Sequence, residues 1–352
     1  MYNIIVNLYL GMLLFSFAVT VSLIVPTINI LYKWKFTKKK ESKEVRLNTT
    51  AELEAIRAKH DLKSGTPTGL GILLVLLIVC LFLLTLPILN FNKPMAALLS
   101  GYNIGWEISV LLLCFLGFGI LGLYDDVLKI FGFAKTGFFG LRRLHKFAIQ
   151  WILALGVSSI LYWGLKIDFV YIPIFGIWHL GAWYLLLAAF LIVTFANAFD
   201  ITSGLDGLGE GLLLICLLAF WGIAAANLDQ VLSLFLAVWI GTLIAGTYFT
   251  INPARAFLGN ASGMAFGATL AVVGLLSGKV VALIVIGGMF LIDGGSSLLQ
   301  IASKAILKRR IFPIAPIHHW LELVGWDESK IVSRAWILGI MLAIFGVWLT
   351  FI

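Results

Sequence analysis

The residues best suited to chemistry in this chain are acidic and stand where apolar runs end. Asp125 and Asp126 follow Leu121-Gly122-Leu123-Tyr124, and Asp200 and Asp206 follow a later apolar run. A charge at a hydrocarbon boundary is costly unless it is solvated, paired or bound to a cation. Adjacent residues on a helix point about 100° apart, so both carboxylates of the pair can border one broad, solvated pocket mouth. Carboxylates suit Mg²⁺, which takes one or two of them and fills its shell with water and phosphate oxygens. Ordinary helix-end charge fits the pair as well.

Two further groups point to phosphate. Lys63 precedes Gly65-Thr66-Pro67-Thr68-Gly69. There the hydroxyls of Thr66 and Thr68, the exposed amides of a Pro turn and a cation can cradle an anion, although a rigid loop entering a membrane has the same composition. His318 and His319 are adjacent, but no third His or Cys stands at zinc-ligand spacing, so hydrogen bonding to a phosphate suits them better. Gly117-Phe118-Gly119-Ile120-Leu121-Gly122 matches a dinucleotide fingerprint but lies inside an apolar run with no strand before it. Glycines at this spacing instead let helices pack closely in lipid. Gly278-Lys279 lacks the Ser or Thr that a phosphate loop needs next.

The elements that must position these residues are membrane helices. Of 352 residues, 61% are hydrophobic and 12% charged, against about 45–50% and 25% for a soluble domain. About 20 apolar residues cross a bilayer, and the runs fall at 8–31, 69–89, 105–123, 147–163, 180–196, 211–226, 231–249, 264–276, 280–300 and 335–350. The eighth is short, and the ninth contains Asp293-Gly294-Gly295, so these two are expected to be tilted or broken. The first run has neither the basic flank nor the cleavage site of a signal peptide, and is expected to be retained. Cys80, Cys114 and Cys216 lie within apolar runs and are expected to be small buried hydrophobes.

The net charge of +8 does not imply nucleic acid, because it is segregated. The loops at 32–68, 124–146, 197–210, 250–263 and 301–334 hold 22 of the 25 Lys and Arg, leaving Lys93, Lys166 and Lys279 on the other side. Cytoplasmic loops collect basic residues, so ten spans put both termini outside. The run WKFTKKKESKEVR at 34–46 is expected to be a topogenic, lipid-facing patch. The outer segment DFVYIPIFGIW, 168–178, alternates around Pro173 and Gly176 as a short interfacial hairpin would.

In order along the chain, five stretches resemble the phospho-N-acetylmuramoyl-pentapeptide transferase family. HDLKSGTPTGLG is similar to that family's H-x-x-K-x-G-T-P-T-M-G-G, departing at Gly69-Leu70, and LGLYDDVLK to its G-F-x-D-D-Y-x-K. NAFDITSGLDGL is similar to N-A-V-N-L-T-D-G-L-D-G-L, and PARAFLGNASGMAFG to P-A-x-V-F-M-G-D-x-G-S-L-A-L-G. RRIFPIAPIHHWLELVGW is similar to K-R-I-F-x-x-A-P-I-H-H-H-F-E-L-K-G-W, the most specific of the five, because transferases acting on other nucleotide sugars lack it.

The resemblance implies an all-α polytopic protein, one integral membrane domain over residues 1–352. It would have ten helices, a small extracytoplasmic hairpin and a cytoplasmic active-site cleft, in the bacterial inner membrane. The implied reaction passes phospho-N-acetylmuramoyl-pentapeptide from its UDP carrier to undecaprenyl phosphate, with Mg²⁺ as cofactor and UMP released. Asp125, Asp126 and Asp206 would be catalytic, and Asp125, Asp126 and Asn260 would hold the metal. Lys63, Thr66, Thr68, Asn197, Phe257, Gln300, His318 and His319 would bind substrate, with Phe257 stacking on uracil. The lipid bilayer is a further partner, a homodimer is compatible, and nucleic acid is not a partner.

The chain departs from the family at Asp200 (Asn), Ser203 (Asp), Thr250 (Asn), Asn260 (Asp) and Trp320 (His), the family residue being given in parentheses. Asn can ligate Mg²⁺ through its carbonyl but brings no charge. A silent homologue binding the same substrates, and a related UDP-N-acetylhexosamine:polyprenyl-phosphate transferase, are the alternatives. A transporter would need ionisable residues near span centres. Only Glu107 and Asp293 qualify, and they match no gate pattern.

Overall fold

A computed structural model describes residues 2–38, 61–91, 103–131 and 143–352. Most of the basic run 34–46, together with His60 and Lys93, lies outside these described residues. The chain is a mostly helical, polytopic membrane protein with a small β-hairpin. In order, the elements are α1 (Tyr2–Lys33), α2 (Leu70–Phe91), α3 (Ile104–Phe131), α4 (Arg143–Ser159), β1 (Phe169–Ile172), β2 (Gly176–His179) and α5 (Trp183–Thr202). Then come α6 (Leu208–Ala226), α7 (Gln230–Thr250), α8 (Asn260–Leu276), α9 (Val280–Ile286), α10 (Gly288–Ile306), α11 (Ile317–Leu323) and α12 (Glu328–Leu349).

All ten apolar runs fall on helices. Among the described residues, eight helices are long and apolar enough to cross a membrane, and nine if the bent pair α9–α10 counts as one span. The remaining run is α8, whose 17 residues cover about 25 Å at 1.5 Å per residue. The expected break in the ninth run is real but misplaced. The chain bends by 76° at Gly287, where a side chain would strike the Phe195 ring. Asp293-Gly294-Gly295 lies inside the unbroken helix α10, where Gly294 packs closely against Ala198 of α5.

Exposure follows the lipid reading. Leu14 and Phe15 on α1, and Ile337, Met341 and Ile344 on α12, are exposed apolar side chains, which only a hydrocarbon solvent makes favourable in such density. Cys114 and Cys216 are buried as expected, but Cys80 is exposed on α2, facing outward. Glu107 is buried at the start of α3, and Asp229 N-caps α7 by accepting from the Leu232 amide at 3.0 Å. Burial pushes the Asp229 carboxyl above its ordinary value.

The centre of the bundle is α8, buried along its whole length from Ala261 to Leu276. Small residues explain how its neighbours come so close. A Cβ on Gly122 of α3 would collide with the backbone of Asn260, one on Gly71 of α2 with Ser262, and one on Gly267 with the backbone of α5. The glycines of the discarded dinucleotide match are therefore packing residues. Edge-on rings of Phe82, Phe115, Phe235 and Trp239, joined by Phe266, tie α2, α3, α7 and α8 together at centroid distances of 5.1 to 5.9 Å. The hairpin pairs β1 and β2 antiparallel, with Ile172 opposite Gly176. It is tied to the last helix by Lys279, whose ammonium lies 3.7 Å from the Tyr171 ring centroid and 3.2 Å from the Thr350 carbonyl.

Candidate active site

The helices place their polar ends together at one end of the bundle, in three linked clusters. The first surrounds the acidic pair. The sequence suggested a helix end and a solvated mouth, but α3 remains helical to Phe131, and Asp125 and Asp126 are only 2% and 5% exposed. Protein partners compensate their burial. Asp125 Oδ2 meets Lys129 Nζ at 2.9 Å, one turn along α3, and Lys146 Nζ on α4 at 3.4 Å. It also accepts from the side-chain amide of Asn260 at 2.6 Å. Asp126 turns to the other side, where its Oδ2 accepts from the backbone amides of Asn260 at 2.7 Å and Ala261 at 3.1 Å. A carboxylate on the first amides of a helix satisfies orphan donors and meets the positive end of its dipole. Gly259, at φ +81°, makes this approach feasible, since a Cβ there would lie 2.7 Å from Asp126 Oδ2.

The second cluster is built around Lys63, whose ammonium lies 2.6 Å from Asp206 Oδ1 and 2.6 and 2.8 Å from the two oxygens of Glu328. Glu328 also accepts from the Asp206 amide at 2.6 Å, and Asp206 Oδ2 accepts from the Ala254 amide at 3.1 Å. The third pairs His318 Nδ1 with Asp293 Oδ2 at 2.7 Å, while the His318 amide donates to Asp293 Oδ1 at 3.2 Å. His319 Nδ1 lies 2.7 Å from Glu322. Among the described residues, nothing partners the buried His318 Nε2, which abuts Gly204.

The last turn of α5 and the connection to α6 together reach all three clusters. Asp200 reaches Lys146 at 3.1 Å, Gly204 faces His318, and Asp206 holds Lys63. A second strap is the Thr66–Thr68 turn. Phe257 donates its amide to Pro67 at 2.8 Å, and Thr68 and Phe257 pair as a bridge. The turn thereby sits beside Gly259 and the acidic pair. Phe257 is half-buried, with Lys38 Nζ 5.0 Å from its ring centroid.

Two expected substrate residues are engaged elsewhere. Gln300 accepts from the amides of Ile311 and Phe312 at 3.1 and 3.0 Å and donates back to the Phe312 carbonyl at 2.8 Å, pinning the loop before the histidines. Asn197 donates to Gln150 at 2.9 Å and to the Val193 carbonyl at 2.8 Å, between α4 and α5. Lys129, Lys146, Asn252, Asp293 and Glu328 were not foreseen as site residues. The spacing of Lys129 from Asp125, one helical turn, was a readable signal. Glu328 had none, since its partners come from distant segments.

The departures find local uses. Ser203 and Thr250 bond back to the carbonyls of Phe199 and Thr247 at 2.8 and 3.3 Å, and Trp320 packs near Phe312. Among the described residues, no three His, Cys, Asp or Glu side chains converge to hold a metal. Two carboxylates and one amide oxygen are still hard donors of the kind Mg²⁺ takes when phosphate oxygens and water complete its shell. The donor set fits the ion on that condition.

A polytopic helical protein that gathers paired carboxylates, lysines and helix N-terminal amides at one end of its bundle has the makings of a membrane transferase of phosphorylated sugars. The model of the family described as Glycosyl transferase family 4 matches residues 108–278, which include the acidic pair and α8. The chain is 36% identical over 293 residues to the phospho-N-acetylmuramoyl-pentapeptide-transferase of Heliobacterium modesticaldum, 33% over 294 to that of Levilactobacillus brevis, and 31% over 291 to that of Bacillus mycoides. Each alignment covers 82% of this chain and 85% of the relative. The chain belongs to the phospho-N-acetylmuramoyl-pentapeptide-transferase family.

Proposed function

We propose that the chain transfers phospho-N-acetylmuramoyl-pentapeptide from its UDP carrier to undecaprenyl phosphate, with Mg²⁺ as cofactor, UMP as co-product and the site facing the cytoplasm. The observation that carries this reading is the seating of Asp125 and Asp126 between two lysines and the first amides of α8. A lipid phosphate with a second pKa of about 6 is already largely dianionic at neutral pH, so a strong general base is not required. Bringing two polyanions together is the harder task, and positioning with charge stabilisation dominates phosphoryl transfer. Mg²⁺, when bound, supplies positive charge to phosphoryl oxygens. Asp125 and Asp126 would hold it with the side-chain carbonyl of Asn260, while Lys129 and Lys146 offset the buried charge of Asp125 and the first amides of α8 that of Asp126. Phe257 offers a ring face for uracil. His318, with Nδ1 on Asp293, offers Nε2 to a phosphate.

Purified protein with undecaprenyl phosphate and Mg²⁺ should exchange radiolabelled UMP into the UDP-linked donor. No exchange with this donor, alongside exchange with a UDP-N-acetylhexosamine, would move the substrate to the related class. A second reading, a silent homologue, is favoured by one contact, the Asn260 amide seated on Asp125 at 2.6 Å.

The orientation is testable by itself. Cysteines introduced near Arg309 and near Asp168 should behave oppositely toward an impermeant thiol reagent in intact cells. The Asp168 site should be labelled and the Arg309 site shielded. Labelling at Arg309 would invert the proposed topology.

A further inference from the structure

Lys63 spends its whole donor capacity on carboxylates. An ammonium has three N–H donors, and three acceptors surround this one, Asp206 Oδ1 at 2.6 Å and the Glu328 oxygens at 2.6 and 2.8 Å. Two negative charges oppose one positive, so the intact knot does not attract an anion. A phosphate oxygen reaches Lys63 only by taking the place of one carboxylate.

The two carboxylates are not held alike. The Asp206 side chain is 3% exposed, and its second oxygen accepts from the Ala254 amide at 3.1 Å and from Asn252 at 3.3 Å. The Glu328 side chain is 16% exposed and stands in the first turn of α12. Its other partners, the Asp206 amide at 2.6 Å and the Asn252 side chain at 3.2 Å, do not need Lys63 to stay in place. Of the two contacts, Lys63 to Glu328 is therefore the more open to a competing anion.

We propose that Glu328 is a displaceable counterion that parks Lys63 until the phosphates of a nucleotide donor take its place, and so sets donor affinity. The inference rests on the functional reading above, in which Lys63 meets those phosphates. A fixed brace makes the opposite prediction, because loosening a brace misplaces Lys63 and weakens binding.

Glu328→Gln tests the difference, since it keeps an oxygen for the Asp206 amide and removes the competing charge. UDP is the probe, titrated by calorimetry into the full chain in detergent at fixed Mg²⁺. Four proteins are compared: the parent, Glu328→Gln, Lys63→Met and the double variant. Glu328→Gln should bind UDP about tenfold more tightly, Lys63→Met should bind it more weakly, and the gain should vanish in the double variant. Should Glu328→Gln fail to fold, Glu328→Ser is held to the same criterion. Unchanged or weaker binding, or a gain that persists without Lys63, overturns the proposal while leaving the functional reading intact. Failure of all four proteins to bind UDP overturns both.

Discussion

Replacing Asp125 with Asn is expected to leave a folded membrane protein whose transfer rate falls by about a hundred- to a thousandfold. The buried surroundings predict the folding outcome. Lys146 retains Asp200 at 3.1 Å, Lys129 is 40% exposed and can turn to solvent, and the new amide can still pair with Asn260. Asp126→Asn should lose activity to the same degree and should also cost stability. Its carboxylate accepts two backbone amides at the start of α8, and hydrogen bonds to a charged group contribute about 1.5–3 kcal/mol. Initial rates of UMP exchange, beside thermal unfolding of each variant in detergent, separate the two effects. Full turnover in either variant would reduce the pair to structural charge.

The second large effect is expected at Asn260. Its amide donates to Asp125 across 2.6 Å. A carboxylate in the same place would face Asp125 with like charge, an arrangement that demands a cation or a shared proton. Asn260→Asp should therefore tighten Mg²⁺, lowering the concentration for half-maximal activity by about tenfold, or ~1.4 kcal/mol. That is a fraction of the ~4 kcal/mol for two unit charges 4 Å apart at an effective dielectric of 20. Binding of Mn²⁺ followed by electron paramagnetic resonance gives the same comparison without turnover. Identical Mn²⁺ affinity in both proteins would defeat the metal argument. An inert parent with an active Asn260→Asp variant would establish the silent-homologue reading.

The sequence carried the bundle well for a physical reason. Lipid demands long apolar runs, and all ten runs are helical, the ninth as the bent pair α9–α10. The hairpin was legible too, because Pro173 and Gly176 interrupt a short alternating segment. What failed were edges and environments. Asp125 and Asp126 looked like solvated end charges because the apolar run stops before them, whereas α3 continues to Phe131 and their other partners, Lys146 and the first residues of α8, come from other helices. Glu328 was invisible for the same cause. Its partners Lys63, Asp206 and Asn252 come from three other segments, and only the fold joins them. Asp293-Gly294-Gly295 suggests a break by composition, whereas the helix breaks at Gly287, six residues earlier.

In mechanical terms, the burial of α8 divides the site into an anvil and jaws. The helix that presents Asn260 and the first amides to Asp126 is gripped along its length, with glycines of α2 and α3 against its start. It cannot shift by a fraction of an ångström without moving several spans, and close-packed interiors resist such deformation. Among the described residues, an opening for the proposed substrates is therefore expected at the connectors 61–69, 203–207, 251–259 and 307–316. Each is tethered by a few polar contacts, such as Lys63 to Glu328 and Gln300 to Phe312. The division fixes where speed is adjustable. Under the proposed function, changes in the connectors would tune entry and release, while changes under α8 would alter the geometry of the acidic pair itself.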